Sequence, residues 1–294
     1  MSFSAFVAIV WSLLIQCSYI PFLLLLLISI FIFVSIYILN NEFKIIELDK
    51  KSCVLSIFIT WILLILMGAI PFYIIFPKEN IRDIIFLSVS LSSTSGIWTE
   101  INTINNPEFL IWQAILQWLG GLCTILVGSF FVEMVLRKRN IINDYFSIEN
   151  IKIIFYLFLS FTIIFILLFK LFSNSWSNSI QLSMALISTS NAYLSNGDII
   201  VESNIITKII MLFAMIVGSL SISLHYKSFT QGVLSYFRNK RFKLAFILIL
   251  IITLFITMVT FNDIKIPFYE KYIDVCFLII SFISTTGLIP HHLY

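Results

Sequence analysis

The sequence predicts an all-α polytopic membrane protein built from repeated helix, re-entrant loop, helix units. Three observations predict it. Hydrophobic residues make up 60% of the 294 and charged residues only 11%, with a mean hydropathy of +1.05. A soluble chain could not cover its surface with so few charges. A hydroxyl-rich phrase then recurs three times: Ser93-Thr94-Ser95-Gly96, Ser188-Thr189-Ser190-Asn191 and Ser284-Thr285-Thr286-Gly287, at spacings of 95 and 96 residues. Such a tetrapeptide is common by chance, but three copies at one period mark an internal repeat. Each copy also closes an apolar segment too short to cross a bilayer, and an apolar residue follows it: Ile97, Ala192 or Leu288.

The elements follow in order. Residues 4–40 are almost continuously apolar, too long for one crossing of about 20 residues. Pro21 near the middle divides them into two leading helices, about 4–20 and 22–40, within a segment 1–52. The N-terminus has no basic region and no small-residue cleavage site, so the first span is expected to be retained. The first pore unit is 53–139. It has a span at about 53–76, a Ser-rich re-entrant helix at 81–95 closed by the first phrase, and a span at 109–136 ending in Arg137-Lys138-Arg139. The second unit, 140–242, repeats this order with a span at 151–172, a short segment at 179–189, the turn Asn196-Gly197-Asp198 and a span at 204–226. The third, 243–294, has a span at 243–261 and a short segment at 272–284, and the chain stops seven residues past Gly287. That makes about two and a half units after two leading helices.

Charge placement orients these segments. The loops on one side hold twelve of the eighteen basic residues, among them Lys44, Lys50, Lys51, Arg137, Lys138, Arg139, Arg238, Lys240 and Arg241. The phrase-bearing side holds the other six, including Lys208 and Lys271, and nine of the fifteen acids, including Glu100, Glu108 and Asp274. The positive-inside rule puts the phrases on the outer side of the membrane. Acids there would concentrate cations at a pore mouth, or simply be solvated loop residues.

Other chemistry is poorly represented. Cys17, Cys53, Cys123 and Cys276 are scattered singly in apolar runs without CxxC spacing, and read as small buried residues. His225 reads as an inner-end interfacial residue, and His291-His292 lacks the further ligands a metal site needs. The span interiors show no paired acids, and no Ser with a His or Lys base at matching depth. No enzyme, bound cofactor or nucleic-acid partner is expected; the partner is the lipid bilayer. What the repeat can do is filter ions. A short loop of small hydroxyl residues ending in Gly can turn backbone carbonyls toward an axis, where they replace the water around a cation. Gly accepts the positive φ such a bend needs.

The repeated unit resembles that of the Trk/Ktr/HKT superfamily of potassium transporters, and most of all its bacterial TrkH subunits. The residues carrying the likeness are Gly68-Ala69-Ile70-Pro71-Phe72, Ser92 through Gly96, Gln117-Trp118-Leu119-Gly120-Gly121, the stretch from Gly218 through Leu224-His225-Tyr226 to Phe237-Arg238, and Ser281 through Gly287. The Gln-Trp-Leu-Gly-Gly run, which resembles the family's QW(F/L/I)GG motif, is the most specific. The likeness implies a voltage-gated-ion-channel-like fold around a pseudo-fourfold axis, with potassium as transported substrate. It implies Thr94, Ser95, Gly96, Thr285, Thr286 and Gly287 as filter residues, with Ser190 and Asn191 at the second position. It also implies a cytoplasmic nucleotide-binding regulatory subunit and a homodimer. Two departures stand out. Asn191 occupies the place of the family's second filter Gly; Asn is the next-best residue for a left-handed backbone, and its side chain would crowd the pore or cap an ion site. The chain also ends before a third inner helix and a fourth unit. Two readings follow: a cation-uptake subunit, or a non-conducting truncated remnant or accessory subunit.

Overall fold

A computed structural model of the chain describes residues 1–39, 50–97, 106–138, 148–172, 175–191, 200–201, 204–259 and 267–290. Among them the chain is almost wholly helical, with two short strands. Five described helices are long and apolar enough to cross a bilayer, or six if one bent pair counts as a single span. This is an all-α multi-pass membrane protein, whose helices satisfy their own backbone polar groups where water cannot. The turn expected at Asn196-Gly197-Asp198 and the pair His291-His292 lie outside the described residues, as does most of 40–52. The chain forms two compact units, Met1–Cys123 and Thr124–Tyr294.

The first unit opens with α1 (Ser2–Ile15) and α2 (Ile20–Leu39), packed on each other. Their join falls a few residues before Pro21: α1 ends at left-handed Gln16 (φ 62°). Pro21 then sits in the first turn of α2, where a missing N–H costs little. The turn is held from outside, because Ser18 N donates to Glu108 Oε1 at 2.9 Å. α3 (Lys50–Ile75) packs on α2 and on the short α4 (Ile81–Ser92). Asn80 caps α4 by accepting from Arg82 N, and Asp83 lies in its first turn; both favour a helix start. Twelve residues reach only about 18 Å, short of a roughly 30 Å hydrocarbon core, so α4 cannot span.

α5 (Pro107–Lys138) starts in the first unit, with Asn106 Oδ1 accepting from Phe109 N at 2.9 Å. It is the most enclosed of the candidate spans: 61% of its apolar window is buried, against 11% for α11 (Lys240–Val259). The fully buried Trp112 fixes it, donating from Nε1 to Gly68 O at 2.8 Å. Phe22 lies against the same indole, and Phe72 against Phe109, with ring centroids 5.9 and 5.6 Å apart.

The second unit repeats the pattern with α6 (Ile148–Phe172), α7 (Trp176–Ile187) and α8 (Ile205–Ser219), all in mutual contact. The single span expected at 204–226 is instead broken: α8 and α9 (Ile222–Gln231) meet at 103°. The break follows Gly218 and Ser219, weak helix formers in sequence. His225 closes it. Its Nε2 lies 3.0 Å from Val217 O and its Nδ1 2.7 Å from Tyr236 Oη. A carbonyl only accepts, so in the neutral ring Nε2 carries the proton and Nδ1 accepts from the tyrosine. Tyr236 belongs to the short α10 (Leu234–Arg238). α11 is lined with exposed Leu, Ile and Phe, as a lipid-facing helix would be. α12 (Phe268–Ile283) packs on α8 and α11. β1 (Ile200–Val201) and β2 (Ile289–Pro290) pair in parallel, Ile200 opposite Ile289.

Candidate functional site

The three phrases follow the C-termini of α4, α7 and α12, and the backbone treats them alike. In each, a Ser is the C-cap: Ser93, Ser188, Ser284. The next residue is a Thr in the left-handed region, with φ 58° at Thr94, 51° at Thr189 and 64° at Thr285. Two hydrogen bonds close each turn. Thr94 N donates to Leu91 O and Ser95 N to Ser90 O, both at 3.1 Å. Thr189 N reaches Leu186 O and Ser190 N reaches Ala185 O; Thr285 N reaches Phe282 O and Thr286 N reaches Ser281 O. This is the Schellman helix ending, with Thr where Gly is usual. A β-branched residue at positive φ is a true outlier, costing roughly 1–2 kcal/mol. The same strain three times at one register is a property of the repeat.

Two residues further on, the loops diverge. Gly96 and Gly287 are again left-handed, with φ 63° and 69°. Asn191 is not among the left-handed residues described, although Asn is the side chain best able to follow glycine there. The hydroxyls diverge with it. Ser95 Oγ donates to Ser90 O at 3.1 Å and lies 3.4 Å from Ser90 Oγ. Thr286 Oγ1 lies 3.2 Å from both Ser281 O and Ser281 Oγ. In the second loop the matching residue is Ala185, and the buried Ser190 Oγ has no hydrogen-bond partner.

Within the second unit, loops two and three are neighbours. A Cβ built on Gly287 would lie 3.9 Å from Asn191 Nδ2, so the asparagine side chain reaches toward the third loop. The first loop belongs to the other unit, where its own contacts are equally specific. Ser90 Oγ donates to Ile97 O at 2.7 Å, Ser92 Oγ to Ser88 O and Ser88 Oγ to Ile65 O, each at 2.7 Å. Ser95 and Thr285 are exposed, Thr94, Thr189, Asn191 and Gly287 half-buried, and Gly96, Ser190 and Thr286 buried.

Glycines let the following helices press against these turns. A Cβ at Gly120 of α5 would sit 2.1 Å from Ser92 O, and one at Gly218 of α8 2.7 Å from Leu186 O and 2.9 Å from Ile187 O. Ser92 and Ile187 hold the same place, one residue before the C-cap. The Gln-Trp-Leu-Gly-Gly run therefore has a local reason: its first glycine allows a helix to touch the end of the first re-entrant helix. Gly218 does this in the second unit, without that motif around it.

Lys208 and Asp274, both counted among the charges of the phrase-bearing side, form a buried ion pair, with Lys208 Nζ 2.6 Å from Asp274 Oδ1 and side-chain exposures of 7% and 1%. The available signal was the lone charge Lys208 in the apolar α8, a placement that is expensive in a membrane without a partner. No group of three or more His, Cys, Asp or Glu that could hold a metal ion occurs among the described residues.

Short helices, each followed by a strained hydroxyl turn, recur along the chain, and the whole arrangement has the fold of a solved transporter. It is similar to the crystal structure of the potassium transporter TrkH from Vibrio parahaemolyticus, with a TM-score of 0.80 and 22% identity, over 95% of this chain and 60% of that one. It is also 28% identical over 279 residues to a protein of Methanocaldococcus jannaschii named as an uncharacterised cation transporter, covering 90% of this chain and 56% of that protein. The chain thus spans less than two thirds of the length of either relative. No family model matches it.

Proposed function

We propose that this chain belongs to the Trk/Ktr/HKT superfamily and is a transmembrane subunit for uptake of monovalent cations, potassium foremost. The observation that carries this reading is the handedness of the loops. Positions 94 and 96, and again 285 and 287, are left-handed with a residue between that is not. Alternating handedness turns successive peptide carbonyls toward one side of the strand, the arrangement a dehydrated cation needs in place of its water. The names of the two relatives support the substrate class.

Permeation needs no covalent chemistry. The carbonyls of Thr94, Ser95 and Gly96, and of Thr285, Thr286 and Gly287, take over the cation's hydration. Ser190 and Asn191 complete the second loop, with the asparagine amide as an additional polar group. An inside-negative potential supplies about 2.3 kcal/mol per charge per 100 mV for inward movement. The loops lie on the outer side of a plasma membrane. The chain works as a homodimer, with a cytoplasmic nucleotide-binding subunit regulating it.

The test is rubidium uptake, with rubidium as potassium surrogate, in cells lacking their own uptake systems and expressing the protein as its gene encodes it. Saturable uptake is expected, and Gly96→Asp or Gly287→Asp should reduce it to the empty-vector level. Sodium competition under the same conditions reports selectivity. An inserted protein without uptake, or one whose uptake survives both substitutions, overturns the reading and leaves a non-conducting accessory subunit.

A further inference from the structure

The Lys208–Asp274 pair lies away from the phrases, yet it joins the two helices that matter most to the third loop. α12 carries Asp274 in its second turn and delivers Ser284 through Gly287 at its end. α8 grips α12 twice. Lys208 Nζ holds Asp274 Oδ1 at 2.6 Å, and seven residues along α8 the Met215 sulfur accepts from Thr286 Oγ1 at 3.0 Å. Seven residues are two turns, roughly 10 Å of helix. One turn beyond Met215, Gly218 presses on the end of α7. A single helix therefore braces both loops of the second unit, and its one charged contact is at the base of α12.

That contact is poorly compensated elsewhere. Asp274 Oδ2 is buried without a hydrogen-bond partner, so the carboxylate depends on Lys208 through its other oxygen. One turn earlier on α12 lie Glu270 and the buried Lys271, the other charges on that helix. Isolated ion pairs at this depth do little for stability that apolar residues of similar size would not do as well. They do fix register, because the charged atoms can satisfy each other in only one alignment. We propose that Lys208 and Asp274 are positioning residues for the third filter loop: the pair sets the register of α12 against α8 and thereby the place of Thr285, Thr286 and Gly287. Its consequence for ion preference rests on the cation-filter reading, while its structural content does not.

Two readouts separate these. Native cysteines are replaced by Ala, and single reporters Thr285→Cys and Ser95→Cys, both at exposed positions, are labelled with a membrane-impermeant thiol reagent. Rubidium uptake against sodium is measured in the protein without reporters. Lys208→Met with Asp274→Leu replaces the pair by apolar side chains, so that neither partner's charge is left without the other. It should insert normally and leave labelling at the first loop unchanged. Labelling at residue 285 should change by at least about threefold, the size of coupling seen when residues remote from a site are altered. Rubidium preference over sodium should fall. The reversed pair, Lys208→Asp with Asp274→Lys, should return both readouts toward wild type. Unchanged labelling at residue 285 in the apolar pair overturns the proposal, as does an equal change at residue 95, which would mean general loosening. If the wild-type protein carries no rubidium, the filter reading falls and the labelling alone decides the role of the pair.

Discussion

The second and third loops lie in one unit, are braced by the same α8 and leave their helices through the same turn, but they part within two residues. After Thr285 the third loop continues through Thr286, whose hydroxyl is held near Ser281, to left-handed Gly287. After Thr189 the second continues through Ser190, whose buried hydroxyl has no hydrogen-bond partner, to Asn191, which is not among the left-handed residues described. The first loop, in the other unit, sides with the third in both respects. Helix termination is therefore the work of the shared Ser-Thr pair and its two backbone hydrogen bonds. The glycine matters one step later, where a second left-handed residue continues the alternation. Two loops carry that second step on backbone alone, while the other presents a side-chain amide to its neighbour.

The strongest way to break the comparison is to remove the room that glycines leave behind the first and second loops. Gly120→Ala puts a methyl 2.1 Å from a backbone oxygen, and Gly218→Ala puts one at 2.7 Å. Backbone cannot swing aside as a side chain can, so Gly120→Ala should cost about 3 kcal/mol and Gly218→Ala about 1–2 kcal/mol. Gly128→Ala meets nothing within 4 Å and is the control. Thermal unfolding of the purified protein in detergent should rank them in that order. A Gly120→Ala protein as stable as Gly128→Ala would show that the helix does not press on the first turn.

A smaller effect tests the feature the loops have in common. Thr94→Gly, Thr189→Gly and Thr285→Gly each relieve a left-handed β-branched residue and should raise stability by about 1 kcal/mol, less the entropy glycine loses on folding. Thr→Ala at the same sites keeps a Cβ in the left-handed region and should give no such gain. If all three glycine variants unfold earlier than wild type, the strain argument fails.

The smallest effect sharpens the difference between the loops. Ala185→Ser restores to the second loop the hydroxyl that the other two have at that place. A partner for buried Ser190 Oγ should add about 1 kcal/mol, the usual net value of one hydrogen bond. Ser90→Ala should lose a similar amount by removing the hydroxyl that donates to Ile97 O, whereas Ser281→Ala should lose less, because Thr286 keeps Ser281 O and the Met215 sulfur as acceptors. An Ala185→Ser protein no more stable than wild type would show that Ser190 gains no partner from the added hydroxyl.

Much of this was legible in one dimension. The period of the phrase located all three re-entrant helix ends, because a helix too short to span must stop at a fixed distance inside its unit. Span positions followed from apolar length, within a few residues at most ends. The breaks were harder. α8 reads as part of one continuous apolar span through residue 226, and only the absence of strong helix formers at Gly218 and Ser219 hinted that it turns through 103°. The phrase also drew attention to its glycine, because glycine is what usually permits positive φ, whereas the residue bent in all three loops is the threonine before it.

By itself the sequence determined a membrane protein, a repeat and the register of its hydroxyl turns. Composition limits the solvent a chain can live in, and a repeated pattern of lengths and breakers acts locally along it. Only the tertiary structure decided that Lys208 meets Asp274 across 66 residues, that Gly120 and Gly218 carry helices onto the ends of α4 and α7, and that Asn191 reaches toward Gly287. Those depend on which helices become neighbours, and close packing sets that through side chains far apart in the chain.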